Sequence, residues 1–142
     1  MAAISPYISF NGNCKEAFDF YKSVFGGEFP YVGTYKDMPA EYKVPESEHH
    51  KIMHISLPIS KETVLMGADM SDAFGGNSQV GNNIAISINT DSEDEAKKLF
   101  NSLSAGGKVT LNLDKTFWGA LFGMFTDKFG INWMVNYDYN KK

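Results

Sequence analysis

From Cys14 the chain returns an apolar side chain at helical spacing: Cys14, Ala17, Phe18, Tyr21 and Phe25, with charged residues between them. That period predicts an amphipathic helix with one buried stripe. Asn13 stands where a cap belongs, Glu16 three residues on completes a box-like pattern, and Gly26-Gly27 supplies the stop. The same pattern returns later. Ala96, Leu99, Phe100 and Leu103 form a second stripe behind Ser92 and Glu95, and Gly106-Gly107 ends it.

Each helix follows a short strand pattern and precedes three more. "ISFNGNCKEAFDFYKSVFGG" and "ISINTDSEDEAKKLFNSLSAGG" run strand, polar turn, helix, double glycine, at a spacing of about 78 to 80 residues. The strands expected after the first helix are "GEFPYVGTYK", "KIMHISLPIS" and "ETVLMGAD". Those after the second are "KVTLNLDKTFW", "ALFGMFTD" and "INWMVNYD". "SKE" and "DKFG" read as hairpin turns, with Gly130 suited to a positive φ. The order is βαβββ twice, which predicts an α+β chain of two modules, 4–70 and 83–139, within one domain spanning 1–142. Residues 71–82 join them. "KDMPAEYKVPESEHH", with two prolines, reads as a polar, mobile loop.

Composition narrows the partners. With 43% hydrophobic and 14% aromatic residues in 142, the chain can bury a sizeable core. A net charge of -4 without a basic cluster argues against nucleic acid and anionic membrane surfaces. The lone cysteine, Cys14, excludes an internal disulfide and suits a reducing compartment. No basic leader or long apolar run opens the chain, so a soluble, cytoplasmic protein is expected.

The duplicated βαβββ order, with "PYISFNGNCKEAFDFYKSVFGGE", "KIMHISL", "LMGAD", "TFWG" and "DKFGINWMVN" in sequence, resembles the vicinal oxygen chelate superfamily. That group includes glyoxalase I, extradiol dioxygenases, fosfomycin-resistance enzymes and bleomycin-resistance proteins. The closer resemblance is to its PhnB-like branch. It implies cupped mixed sheets with helices on the outer face, a ligand cup between modules, and paired cups in a homodimer. Some members of the branch are labelled demethylubiquinone methyltransferases, but no glycine-rich nucleotide loop joins a strand to a helix here. The glycines of "FGGNSQVG" read as a flexible turn.

Strand alternation then sorts faces. Ile84, Ile86 and Ile88 are expected under the helices, with Asn83, Ala85 and Ser87 facing the cup. Ile8 and Phe10 pack, leaving Ser5, Tyr7 and Ser9 to the cup. Met53, Ile55 and Leu57 pack, leaving His54 and Ser56. Metal-using relatives place a histidine or glutamine at the opening of a module's first strand and a glutamate in its last. Those positions fall here on Ser5 or Pro6, Asn83, Met66 and Met134, none a good donor for a hard or borderline cation. No metal site and no cofactor are therefore expected, unless a divalent metal is held by residues in another phase.

The candidate ligand-binding residues are Tyr7, Ser9, His54, Met66, Asn83, Trp118 and Met134. His54 is the sole candidate for catalysis, as a cup-facing base. His50 and His54 share a face on a strand but stand roughly 13 Å apart, too far for one ion; His49 and His50 read as solvated. Cys14 falls on the apolar stripe and reads as a small buried hydrophobe. Phe117 and Trp118 read as core or as a stacking wall, and Asp69 and Asp127 as turn residues. Three functions remain open: a metal-free binder of a small, partly apolar molecule; a metal-dependent or histidine-assisted lyase, isomerase or dioxygenase of the glyoxalase type; and an interaction module whose cup its own side chains fill.

Overall fold

The computed structural model describes residues 2–74 and 76–140; Met1, Gly75, Lys141 and Lys142 of the expected spans lie outside the described residues. The chain divides into two compact units, Met1–Gln79 and Val80–Lys142, so the boundary falls inside the expected connector 71–82.

The first unit holds β1 (Tyr7–Phe10), α1 (Cys14–Phe25), β2 (Tyr31–Thr34), β3 (Ile52–Pro58) and β4 (Val64–Asp69). Its sheet runs β1-β4-β3-β2. β1 lies parallel to β4, and the other neighbours are antiparallel. α1 packs across β3 and β4. Its stripe of Cys14, Ala17, Phe18 and Tyr21 is buried as its spacing predicts, while Phe25 is half-buried. Fully burying a side chain the size of Phe18 stabilises by about 1.5–3 kcal/mol. Gly67 makes the close fit, because a Cβ there would stand 2.7 Å from the Phe18 ring and 2.9 Å from the Ile8 carbonyl.

The second unit repeats the plan: β5 (Ile86–Asn89), α2 (Glu93–Ser104), β6 (Lys108–Lys115), β7 (Ala120–Thr126) and β8 (Asn132–Asp138), in the order β5-β8-β7-β6. β5 and β8 are parallel. α2 covers Leu121, Phe125, Trp133 and Val135 with Ala96, Phe100 and Leu103. Its cap behaves as expected: Ser92 Oγ accepts from the Glu95 amide at 3.0 Å, while the Glu95 carboxylate accepts from Asp91. Gly130 closes the β7–β8 turn at φ +88°.

Four expectations change. Asn13 makes no side-chain cap on α1; Asp69 supplies that acceptor from β4 instead. Ile84 does not lie under a helix, because β5 starts only at Ile86 and Ile84 is 78% exposed. The segment 35–50 is no loose polar loop but three short 3-10 turns, Tyr35–Asp37, Ala40–Tyr42 and Glu46–Glu48. Buried Glu48 ties the last of them down by accepting from Ser71 Oγ (2.8 Å), the Asp72 amide (2.9 Å) and Lys51. Finally, Asp69 is a strand residue only 2% exposed, whereas Asp127 is a turn residue that is also buried.

Candidate functional site

Each sheet has a helix on one face, and the residues of interest are on the other. In the first unit the register places Tyr7 beside Met66, Met66 beside Ser56 and Ser56 beside Tyr31. One step along, Ser9 pairs with Ala68 and His54 with Gly33. Alternation thus brings four expected residues, Tyr7, Ser9, His54 and Met66, onto the open face of one sheet.

His54 is the centre of that face. Its Nδ1 is hydrogen-bonded to the Tyr7 hydroxyl at 3.0 Å. Tyr7 and Tyr31 flank its ring, with centroids 5.5 and 5.7 Å away and planes tilted by 37° and 47°. Tyr31 was not among the expected residues. The signal lay in "YVG": Gly33 has no side chain, and a Cβ there would stand 2.5 Å from the Tyr31 hydroxyl. The glycine therefore lets the Tyr31 ring lie back along its own strand toward His54. Burial, and secondarily the neighbouring Cys14, raise the Tyr7 phenol above its ordinary range, so it remains an O–H donor.

In the second unit Met134 pairs laterally with Ser87 on one side and Met124 on the other. Asn136 pairs with Phe122 and donates to the Asn89 side chain at 3.2 Å. Trp118, in the β6–β7 turn, lies 6.1 Å from Phe122, and Phe117 stands edge-on to it at 5.0 Å. Both Trp118 and Phe117 are exposed, so neither is core. Asn83 is exposed and precedes β5, so its expected place on the sheet face is not realised.

The other candidates resolve into structure. Cys14 is fully buried, and burial followed by the nearby Asp69 raises its thiol far above the ordinary range. His50 is exposed, but His49 donates to the Val44 carbonyl at 3.0 Å and so is not simply solvated. Asp127 accepts from the Phe129 and Ile131 amides and from the Trp133 indole N–H at 2.8 Å.

The arrangement matches a known plan. A family model, the Glyoxalase/Bleomycin resistance protein/Dioxygenase superfamily, matches residues 3–135. The chain belongs to this superfamily. Its relatives include Protein YjdN of Escherichia coli, 30% identical over 94% of this chain and 93% of that protein. Among solved structures, protein PA1353 from Pseudomonas aeruginosa is 40% identical, with a TM-score of 0.85 over 97% of this chain and 98% of the other. A Bacillus cereus PhnB protein, described as a putative 3-demethylubiquinone-9 3-methyltransferase, shares the fold at 21% identity and a TM-score of 0.75, covering 96% and 99% of the two chains.

Against the superfamily's usual metal, the donor set does not fit. Met66 and Met134 are thioethers, their lateral partners on β1 and β5 are Tyr7 and Ser87, and Asn83 lies off the sheet. Among the described residues no three His, Cys, Asp or Glu side chains gather as ligands. The nearby His54 could offer its free Nε2, but a single imidazole does not make a site. Divalent cations of this class prefer carboxylate and imidazole donors.

Proposed function

We propose that this superfamily member binds a small, partly apolar molecule on the open face of its sheet, without a divalent metal at the positions other members use. The observation that carries the reading is the Tyr7–His54–Tyr31 cluster, an imidazole between two tilted phenol rings with Met66 and Ser56 beside them. Aromatic walls with a few polar anchors are how flat, partly apolar ligands are held. A soft thioether floor adapts to shape. The absence of carboxylate and imidazole donors at Met66, Met134 and Asn83 supports the metal-free part. A reducing, cytoplasmic setting accords with the single cysteine, and a homodimer with the apolar side chains that one chain leaves exposed, Ile4, Ile84 and Phe117 among them. Neither nucleic acid nor a membrane is a partner in this reading. Its surface charge is net negative, and no helix of the described residues is long and apolar enough to cross a membrane.

Native mass spectrometry with elemental analysis of the untagged protein tests this directly. Retained organic mass, or thermal stabilisation by members of a metabolite panel, with metal well below one equivalent supports it. Near-stoichiometric divalent metal that tracks with turnover overturns it.

A second reading, a lyase, isomerase or dioxygenase of the glyoxalase type, is favoured by one observation: His54 keeps one ring nitrogen without a protein partner among the described residues. Loss of a discovered activity in His54→Ala, with binding retained, would establish it.

A further inference from the structure

We infer that Tyr7 holds neutral His54 in the tautomer protonated on Nε2, so that the site offers a hydrogen-bond donor to a flat, uncharged ligand carrying an oxygen acceptor. The inference deepens the binding reading above and rests on it for the presence of a ligand.

Two assignments of the 3.0 Å contact are conceivable: the phenol donates to Nδ1, or Nδ1–H donates to the phenol oxygen. A phenol is the stronger acid of the two donors and an imidazole nitrogen the stronger base of the two acceptors. The first assignment is therefore favoured. Desolvation of Tyr7, which disfavours phenolate, keeps the hydroxyl protonated and so available as that donor. With Nδ1 accepting, a neutral ring must carry its proton on Nε2.

Nε2 is also within reach of a ligand. Among the described residues no buried side-chain nitrogen or oxygen lacks a partner, and no protein group bonds Nε2, so this nitrogen meets solvent. The flanking rings favour a flat ligand, which can stack against a phenol while receiving the N–H. None of the open-face residues Tyr7, Ser9, His54, Ser56, Met66 and Ala68 is a Lys, Arg, Asp or Glu. Apart from the His54 ring itself, an ionic ligand would meet no counter-charge on these strands and would lose hydration. In this tautomer the free nitrogen donates a hydrogen bond, and a role for His54 as a base at that atom would need the other tautomer.

Long-range 1H–15N correlation on the uniformly labelled full chain reads the tautomer, and titration with two flat probes reads the ligand class. Coumarin has a carbonyl acceptor; indole has an N–H and no oxygen. The expected result is a pyridine-type Nδ1 and a protonated Nε2 in the wild type, relaxing toward a mixture in Tyr7→Phe. Coumarin should shift the Nε2 signals saturably and bind about tenfold more tightly than indole, the value of one net hydrogen bond. Tyr7→Phe keeps the ring and the fold but should shrink that preference. A wild type protonated mainly on Nδ1 overturns the inference whichever probe binds. Equal binding of both probes at a ring protonated on Nε2 overturns the donor selectivity and leaves the binding reading standing. If neither probe shifts an open-face signal, the flat-ligand claim falls, while the binding reading rests on its own test and the tautomer signal is scored by itself.

Discussion

Asp69, the last residue of β4, accepts the Cys14 amide at 2.9 Å and so caps α1 from across the sheet. The same oxygen takes the Gly12 amide at 2.9 Å, and the other takes the Ile52 amide at 2.9 Å. One carboxylate thereby joins β1's exit, the start of α1, and the start of β3. The negative charge also meets the positive end of the helix dipole.

Removing that acceptor should cost more than an ordinary cap. Asp69→Ala leaves three amides without their partner, and the expected loss is about 3–5 kcal/mol. Asp69→Asn should fall between, because its single oxygen can serve the Gly12/Cys14 pair or Ile52 but not both. Urea titrations of the two variants check the order. A loss below about 1 kcal/mol in Asp69→Ala would show the cap to be replaceable by water.

Glu48 gives a pH signature. Hydrogen bonds from Lys51, then Ser71, then the Asp72 amide lower its carboxyl to about 2. A folded value below the unfolded one means that the stabilisation is present above the unfolded value near 4.5 and is lost as pH falls toward about 2. Glu48→Gln should therefore be less stable than wild type near neutrality, and its stability should fall less steeply through that acid window. Thermal unfolding at stepped pH measures both slopes; parallel slopes would remove Glu48 from the acid response.

Much of the fold was legible because its signals are local. The stripe from Cys14 to Tyr21 and the Ser92–Glu95 cap are set by residues within a few positions of one another, and the structure keeps them. Strand parity likewise puts Tyr7 and His54 on one face, where the two side chains meet. What failed depended on distant chain. Asn13 looked like a cap because nothing nearby announces Asp69, whose side chain arrives from 55 positions away. Ile84 continues the alternation of Ile86 and Ile88, yet β5 pairs with β8 only from Ile86, so the pattern outruns the ladder. Tyr31 carries no such local signal, because its place beside His54 comes from the missing side chain of Gly33 and not from its own spacing.

Cys14 should be chemically silent in the native state. It is fully buried, and burial together with the nearby Asp69 disfavours its thiolate, the reactive form. Labelling by iodoacetamide at pH 8 should proceed only through opening of α1 and quicken when denaturant or Asp69→Ala destabilises the unit. Rapid labelling of the intact wild type would contradict the burial of this face.

Two glycines should separate the site from the scaffold. At Gly67 a Cβ would stand 2.9 Å from the Ile8 carbonyl, which the sheet holds, and 2.7 Å from the Phe18 ring, which the core holds. Neither neighbour can yield cheaply, so Gly67→Ala should lose about 1–3 kcal/mol. At Gly33 the contacts are the far end of one side chain, the Tyr31 ring, which lies exposed and can swing away. Gly33→Ala should leave stability within about 0.5 kcal/mol of wild type. It should nonetheless drive Tyr31 off His54 and weaken coumarin binding several-fold. Stability and probe affinity measured on both variants form the test. If Gly33→Ala binds as the wild type does, Tyr31 is no wall of the site, and the flat-ligand argument loses one of its two rings.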